Sequence, residues 1–220
     1  MQDFTINGSG TLNGGEFGRI SVHGSGKCSG DITAVDITID GSFKTDGSIK
    51  SDSIDIDGSL KCEGSLNVGK FDCDGMAKIA GNLTAKTIDV DGMTSIKGGL
   101  IEADSIHCDG FVDAEDGHIS ADVIDADGCI RAKEVVGDSI TIKSRGGKLA
   151  RVFLKNSIID LIEATTIDIR GVAAQTVSGK DVRIGSGCDV RKVDCCGTLA
   201  IHPKAKVEEI TGDYKMESES

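Results

Sequence analysis

Residues 37–87 read ITIDGSFKTDGSIKSDS, IDIDGSLKCEGSLNVGK and FDCDGMAKIAGNLTAKT when cut at Ile37, Ile54 and Phe71, three segments of 17 residues that superimpose place by place. Apolar residues open each segment and return two places on: Ile37 and Ile39, Ile54 and Ile56, Phe71 and Cys73. A second pair follows in Phe43 and Thr45, Leu60 and Cys62, Ala77 and Ile79. A third completes the turn in Leu66 and Val68, Leu83 and Ala85, and in Ile32 and Ala34 of the preceding repeat. Within a pair the period is two, the signature of a strand with one face inward. Between pairs lie two extra residues, usually including glycine: Gly41, Gly58 and Gly75 at the first bend, Gly47, Gly64 and Gly81 at the second. The unit is therefore three short strands joined by bends, with six inward side chains. Glycine suits a bend because it takes positive φ without steric cost.

Outward from this stretch the same opening residue recurs at Phe4, Ile20, Ile88, Ile106, Ile124 and Ile140, at spacings of 16 to 18 residues. So short a period means a solenoid, in which each turn buries its apolar face only against its neighbours. Stacked turns make three parallel sheets around a narrow bore, and roughly eleven turns at ~4.8 Å give a rod about 50 Å long. Composition agrees: 30 Gly oppose helix, a single Pro removes few ladder donors, and aromatics at 3% suit a bore of this width. The fold expected is an all-β, single-stranded parallel β-helix. Periodicity does not set its hand, since left-handed hexapeptide helices also take about 18 residues per turn.

The register fails after Ile140 and resumes at Ile167, 27 residues on, then at Val182 and Leu199. The excess falls in 146–158, read as a short helix or loop on the side of the rod, with Leu149, Val152, Phe153 and Ile158 on one face. Residues 143–155 hold Lys143, Arg145, Lys148, Arg151 and Lys155 and no acid, in a chain of net charge −12. Two uses stand open: a decorating element that caps a sheet, or a basic amphipathic contact with a membrane surface or a neighbouring rod through Arg145, Lys148, Arg151, Phe153 and Lys155. The domain expected is 1–211, with 212–220 a disordered acidic tail. With no leader peptide and no apolar run of membrane-spanning length to be read, the location expected is cytoplasmic, with membrane association left to the insert.

Of eight cysteines, Cys28, Cys62, Cys73 and Cys108 fall on inward places and read as small buried hydrophobes, while the vicinal pair Cys195 and Cys196 must split, one in and one out. No metal or cofactor set is expected. His107 and His118 are the only candidates for an acyltransferase base, and nothing around them supports that chemistry. Outward on the first sheet stand Asp40, Asp55, Asp57, Asp72, Asp74, Asp89, Asp91, Asp109, Asp125 and Asp127. They read in three ways: as caps on bend amides, as a cation row, or as a surface for a basic neighbour. Lys27, Lys44, Lys61, Lys78 and Arg131 recur outward on the second sheet and supply such a basic surface. Negative charge and scarce aromatics argue against nucleic acid.

A solenoid ends in unpaired backbone and a last layer of core, which monomeric solenoids cover with polar or helical caps. Phe4 and Ile6 at one end, and Leu199, Ile201 and Val207 at the other, carry no cap in the sequence, so end-to-end self-assembly through these five residues is expected. The Gly-rich repeats resemble bactofilins, polymer-forming bacterial cytoskeletal proteins. FTINGSGTLNGGEFGRISVHGSGKCSGDI at 4–32, with IEATTIDIRG at 162–171 and VSGKDVRIGSGCDVRKVD at 177–194, is similar to the variant common in Gram-positive bacteria. The resemblance implies a right-handed β-helix that polymerises without nucleotide through like ends and serves as an envelope, shape or motility scaffold, alone or with a paralogue. The chain departs from the compact family core in its extra turns and its insert. A non-polymerising binding module or adhesin-like rod using the Asp face is the alternative, and a β-helix enzyme the least supported.

Overall fold

The computed structural model describes residues 1–144 and 157–217. Among them there is no helix; twenty strands, β1 (Gln2–Ile6) to β20 (Lys215–Glu217), pair in parallel throughout. The opening residues lie on one ladder: Phe4, Ile20, Ile37, Ile54, Phe71, Ile88, Ile106, Ile124, Ile140, Ile167, Val182, Leu199 and Met216, each paired with the next. The chain is a parallel β-solenoid of about 12 turns, consistent with right-handed winding. It is one turn longer than the repeats suggest, because the segment expected to be a disordered tail contributes a rung: Leu199 of β18 (Thr198–Ile201) pairs with Met216.

The bore is filled as the pattern requires. Ile37, Ile39, Phe43, Ile49, Ile54, Ile56, Leu60, Leu66 and Phe71 are all no more than 1% exposed. Full burial of such side chains contributes about 1.5–3 kcal/mol each. Ser51 and Thr94 take inward places in the same rows, and among the described residues their buried hydroxyls have no hydrogen-bond partner.

The first-bend glycines are there for a different reason from the one expected. From Gly8 to Gly128 no glycine of this column has positive φ; it occurs at Gly171 (64°), later in the column, and at Gly30 (93°) and Gly98 (67°) on the second bend. A Cβ on Gly58 would overlap the carbonyl oxygen of Gly41 one turn below, and the same clash repeats along Gly24, Gly41, Gly75, Gly92, Gly110 and Gly128. From Gly24 to Gly128 close stacking of turns at this corner, not dihedral freedom, selects glycine.

Ser144 closes the described residues on one side of the break, and Ser157, the first residue of β15 (Ser157–Arg170), opens them on the other. The two hydroxyls are 2.7 Å apart, and Ser157 Oγ accepts the Ile130 amide at 3.0 Å. The insert expected over 146–158 therefore ends earlier: Ser157 and Ile158 are strand residues, and Ile158 points outward, 44% exposed, beside Arg131. The helix or loop, and with it Arg145, Lys148, Arg151, Phe153 and Lys155, lies outside the described residues.

Candidate functional site: the two ends and the charged faces

In the first turn, β1 pairs on one side with β2 (Ser9–Val22), and among the described residues no strand pairs with its outer edge. Ile6 and Leu12 are nevertheless buried. The mouth of the bore is narrowed by Phe4 and Phe17, whose rings meet edge to face at 6.2 Å and are only partly buried against the core. Phe17 pairs with Gln2 on one side and Ala34 on the other, in a row that continues inward with Ser51 and Val68, so this level carries the row's bulky ring. Of the two expected contact residues at this end, Phe4 is accessible and Ile6 is not.

The last turn consists of β19 (Lys206–Thr211) and β20. Val207 covers Val190, Ile210 covers Val193, and Met216 covers Leu199. Leu199 is thus fully buried, one layer beneath the end face where the sequence placed it. The face itself is made by Met216 (60% exposed) and Ile210 (37%), with Ile201, Ala205, Val207 and Tyr214 half-buried around them. The partly buried apolar residues that pack on the core are Phe4 and Phe17 at one end and Ile201, Ala205, Val207 and Tyr214 at the other. Met216 lies 17 residues after Leu199 and Phe17 breaks its row, two signals the repeat offered.

On the first sheet Asp55, Asp72 and Asp89 stack rung on rung, followed by His107 and Asp125. Burial and then the charges of Asp57 and Asp72 push the Asp55 carboxyl above the usual carboxylate range. Desolvation and then Asp91 and Asp72 do the same to Asp74. The carboxylates do not serve the bends as caps in the way one reading supposed. The amides of Gly41, Gly58, Gly75, Gly92, Gly110 and Gly128 donate to backbone carbonyls one turn below. Among the described residues no group of three or more His, Cys, Asp or Glu could hold a metal ion. On this face Lys70 reaches Asp72 at 2.6 Å, Lys143 lies 3.8 Å from Asp168, and His23 Nδ1 is within hydrogen-bond distance of Asp40 at 2.6 Å.

The second sheet carries the ladder Lys27, Lys44, Lys61, Lys78 on four consecutive rungs. Lys61 pairs with Glu63 at 2.7 Å, and Lys44 approaches the same carboxylate at 3.9 Å. Asp46, on the same sheet, is held below its ordinary range by the Gly30 amide and the Ser29 hydroxyl. Arg131 belongs to the same row but grips Asp113 through both guanidinium arms.

None of the eight cysteines is in a disulfide; Cys196 alone is exposed and Cys195 beside it is buried, as alternation demands. Burial pushes the Cys62 and Cys73 thiols up to about 11 and Cys108 to about 12, which makes them inert packing. His118 is tied to Glu134 at 2.6 Å, and His107 lies 3.6 Å from Asp109; the two are not brought together with a nucleophile. A shallow groove of about 330 Å³ on the third sheet is lined by Thr33, Lys50, Asn67, Thr84 and Lys86. No helix among the described residues is long and apolar enough to cross a membrane.

The class defined by this geometry is a β-solenoid rod with apolar ends and oppositely charged sides. The chain matches no family model, no curated protein and no solved structure.

Proposed function

We propose that the protein is a structural subunit that assembles end to end, without nucleotide, into filaments that scaffold envelope, shape or motility functions, in the manner of the bactofilins its repeats resemble. The observation that carries this reading is the pairing at each end of unpaired strand edge with accessible core: Phe4 on β1 with Phe17 on β2, and Ile210 and Met216 at β19 and β20. Edges of this kind template further strands, and the turn spacing on both sides of such a joint is the same. On this reading the role is mechanical rather than catalytic, the partner is another copy or a paralogue, and the setting is cytoplasmic, at or near a membrane.

The test is negative-stain microscopy of the purified chain at near-physiological salt with no nucleotide. Filaments a few nanometres wide are expected. Met216→Arg and Phe4→Arg, which alter accessible end residues, should leave short rods with unchanged β-sheet circular dichroism. Dispersed rods of the unaltered protein at every concentration, or undiminished filaments in both variants, would overturn the reading. Leu199→Arg is unsuited to the purpose, because a charge there enters the core and unfolds the last turn.

A further inference from the structure

Two faces of the rod carry charges of opposite sign on the same few turns. Four lysines occupy successive rungs of the second sheet, from Lys27 to Lys78. Over the overlapping turns the first sheet presents Asp40, Asp55, Asp57, Asp72, Asp74, Asp89 and Asp91. Hydrogen-bonded rungs fix both spacings at about 4.8 Å. Burial and then neighbouring carboxylates push Asp55 and Asp74 up, and at Asp55 Lys70 only partly offsets them. Lys27 and Lys78 have no ion pair among the described residues. The row beside the lysines is Ser25, Ser42 and Ser59, short enough to let another surface approach, and continues with the exposed Met76 at the Lys78 rung.

We propose that the acidic first face of one rod docks on the lysine ladder of a second copy, side by side and with turns in step. A second copy is the partner whose charges recur at this spacing, over the four rungs from Lys27 to Lys78, so that each of these rungs adds a pair without a change of register. A single exposed ion pair is weak. A row of them along two straight rods acts together, and in a filament the row repeats with every subunit. The contact is heterologous, each copy offering one face and using the other, so association continues sideways rather than closing as a dimer. It is separate from the end contacts and does not need them.

The test is zero-length carbodiimide cross-linking of the full chain, which joins an amine to a carboxylate in contact, read by mass spectrometry. Equal parts of light and nitrogen-15 protein are mixed, so that a cross-link carrying both labels comes from two copies. Mixed-label links from Lys27, Lys44, Lys61 and Lys78 to Asp57, Asp74 and Asp91 are expected, falling several-fold in high salt. Lys44→Gln/Lys61→Gln and Asp57→Asn/Asp74→Asn should each lose them alone. Mixing the two variants should restore them, from the ladder of one to the acidic face of the other. The same links should form in the Met216→Arg variant, so failure of the end contacts and failure of the side contact are read separately. Mixed-label links that are absent, that spread over Lys50 and Lys86 as much as over the ladder, or that persist in each variant alone would overturn the proposal.

Discussion

Gly58→Ala should be among the most damaging single-methyl additions to this protein, and Gly8→Ala one of the mildest, although both occupy the same place in the repeat. At Gly58 the added Cβ overlaps the Gly41 carbonyl oxygen and lies 2.6 Å from the Asp40 oxygen. Relief requires the turns to part at the corner, which strains the Gly58 amide bond to Ile39 (2.8 Å) and the Ser59 amide bond to Gly41 (2.8 Å). Overpacking costs about 1–3 kcal/mol, and two weakened hydrogen bonds add about 1 kcal/mol each. The sum, about 3–5 kcal/mol, corresponds to a fall in Tm of about 10 °C for a chain of this size. Gly8 has nothing within 4 Å of its Cβ position, since no described turn lies beneath it, and the change there should stay within about 0.5 kcal/mol. Gly98 is the third member of the series, with open space but φ at 67°, so alanine there meets only left-handed strain of about 1 kcal/mol. Urea and thermal unfolding followed by circular dichroism give the three values. Equal shifts at Gly8 and Gly58, or a larger loss at Gly98 than at Gly58, would refute stacking clearance as the reason for the column.

Ser51→Ala should stabilise the rod by about 1 kcal/mol, because it removes a buried hydroxyl without a partner from a row whose neighbours are Ala34 and Val68; a higher midpoint in urea checks this. Asp55→Asn should stabilise by about 0.5 kcal/mol at neutral pH by relieving stacked like charge. Because the folded-state pKa of Asp55 is raised, its charge disfavours folding above that value, and the advantage of asparagine should vanish as pH falls through the carboxylate range; an advantage that grows on acidification would contradict the sign. A thiol reagent at neutral pH should label Cys196 rapidly and the seven buried thiols only after unfolding, and labelling of Cys62, Cys73 or Cys108 at the same rate would show the turns to be loosely packed.

The ladder was legible in the sequence because a narrow bore leaves so little choice. A side chain at Ile37 or Ile54 either points inward or breaks the period, and every opening residue from Phe4 to Leu199 fell on the same rung column. What stayed hidden was distance between turns. The pattern marks Gly41 and Gly58 as bend residues but carries no measure of how near the next carbonyl lies, so dihedral freedom stood in for clearance. The Asp–Gly bends were misread for the same reason, since the glycine amides already had backbone acceptors one turn below. At the far end, Met216 kept the period but sat between Lys215 and Glu217, and local polarity outweighed a single apolar residue. Leu199 was consequently taken for the surface when it was the floor. The end faces depend on which residues lack a following layer, a relation among turns that no one repeat contains.

The serine-closed neck has a meaning for how such a rod can change over time. The Ser144 and Ser157 hydroxyls lie one hydrogen bond apart, and the strand pairing of Arg131 with Ile158 and Ile140 with Ile167 keeps the ladder in register. The rung count and the axis are therefore indifferent to what is spliced between Ser144 and Ser157. The rungs on either side need only each other to stay in step, which makes this joint a place where the chain can gain or lose residues without a change of register.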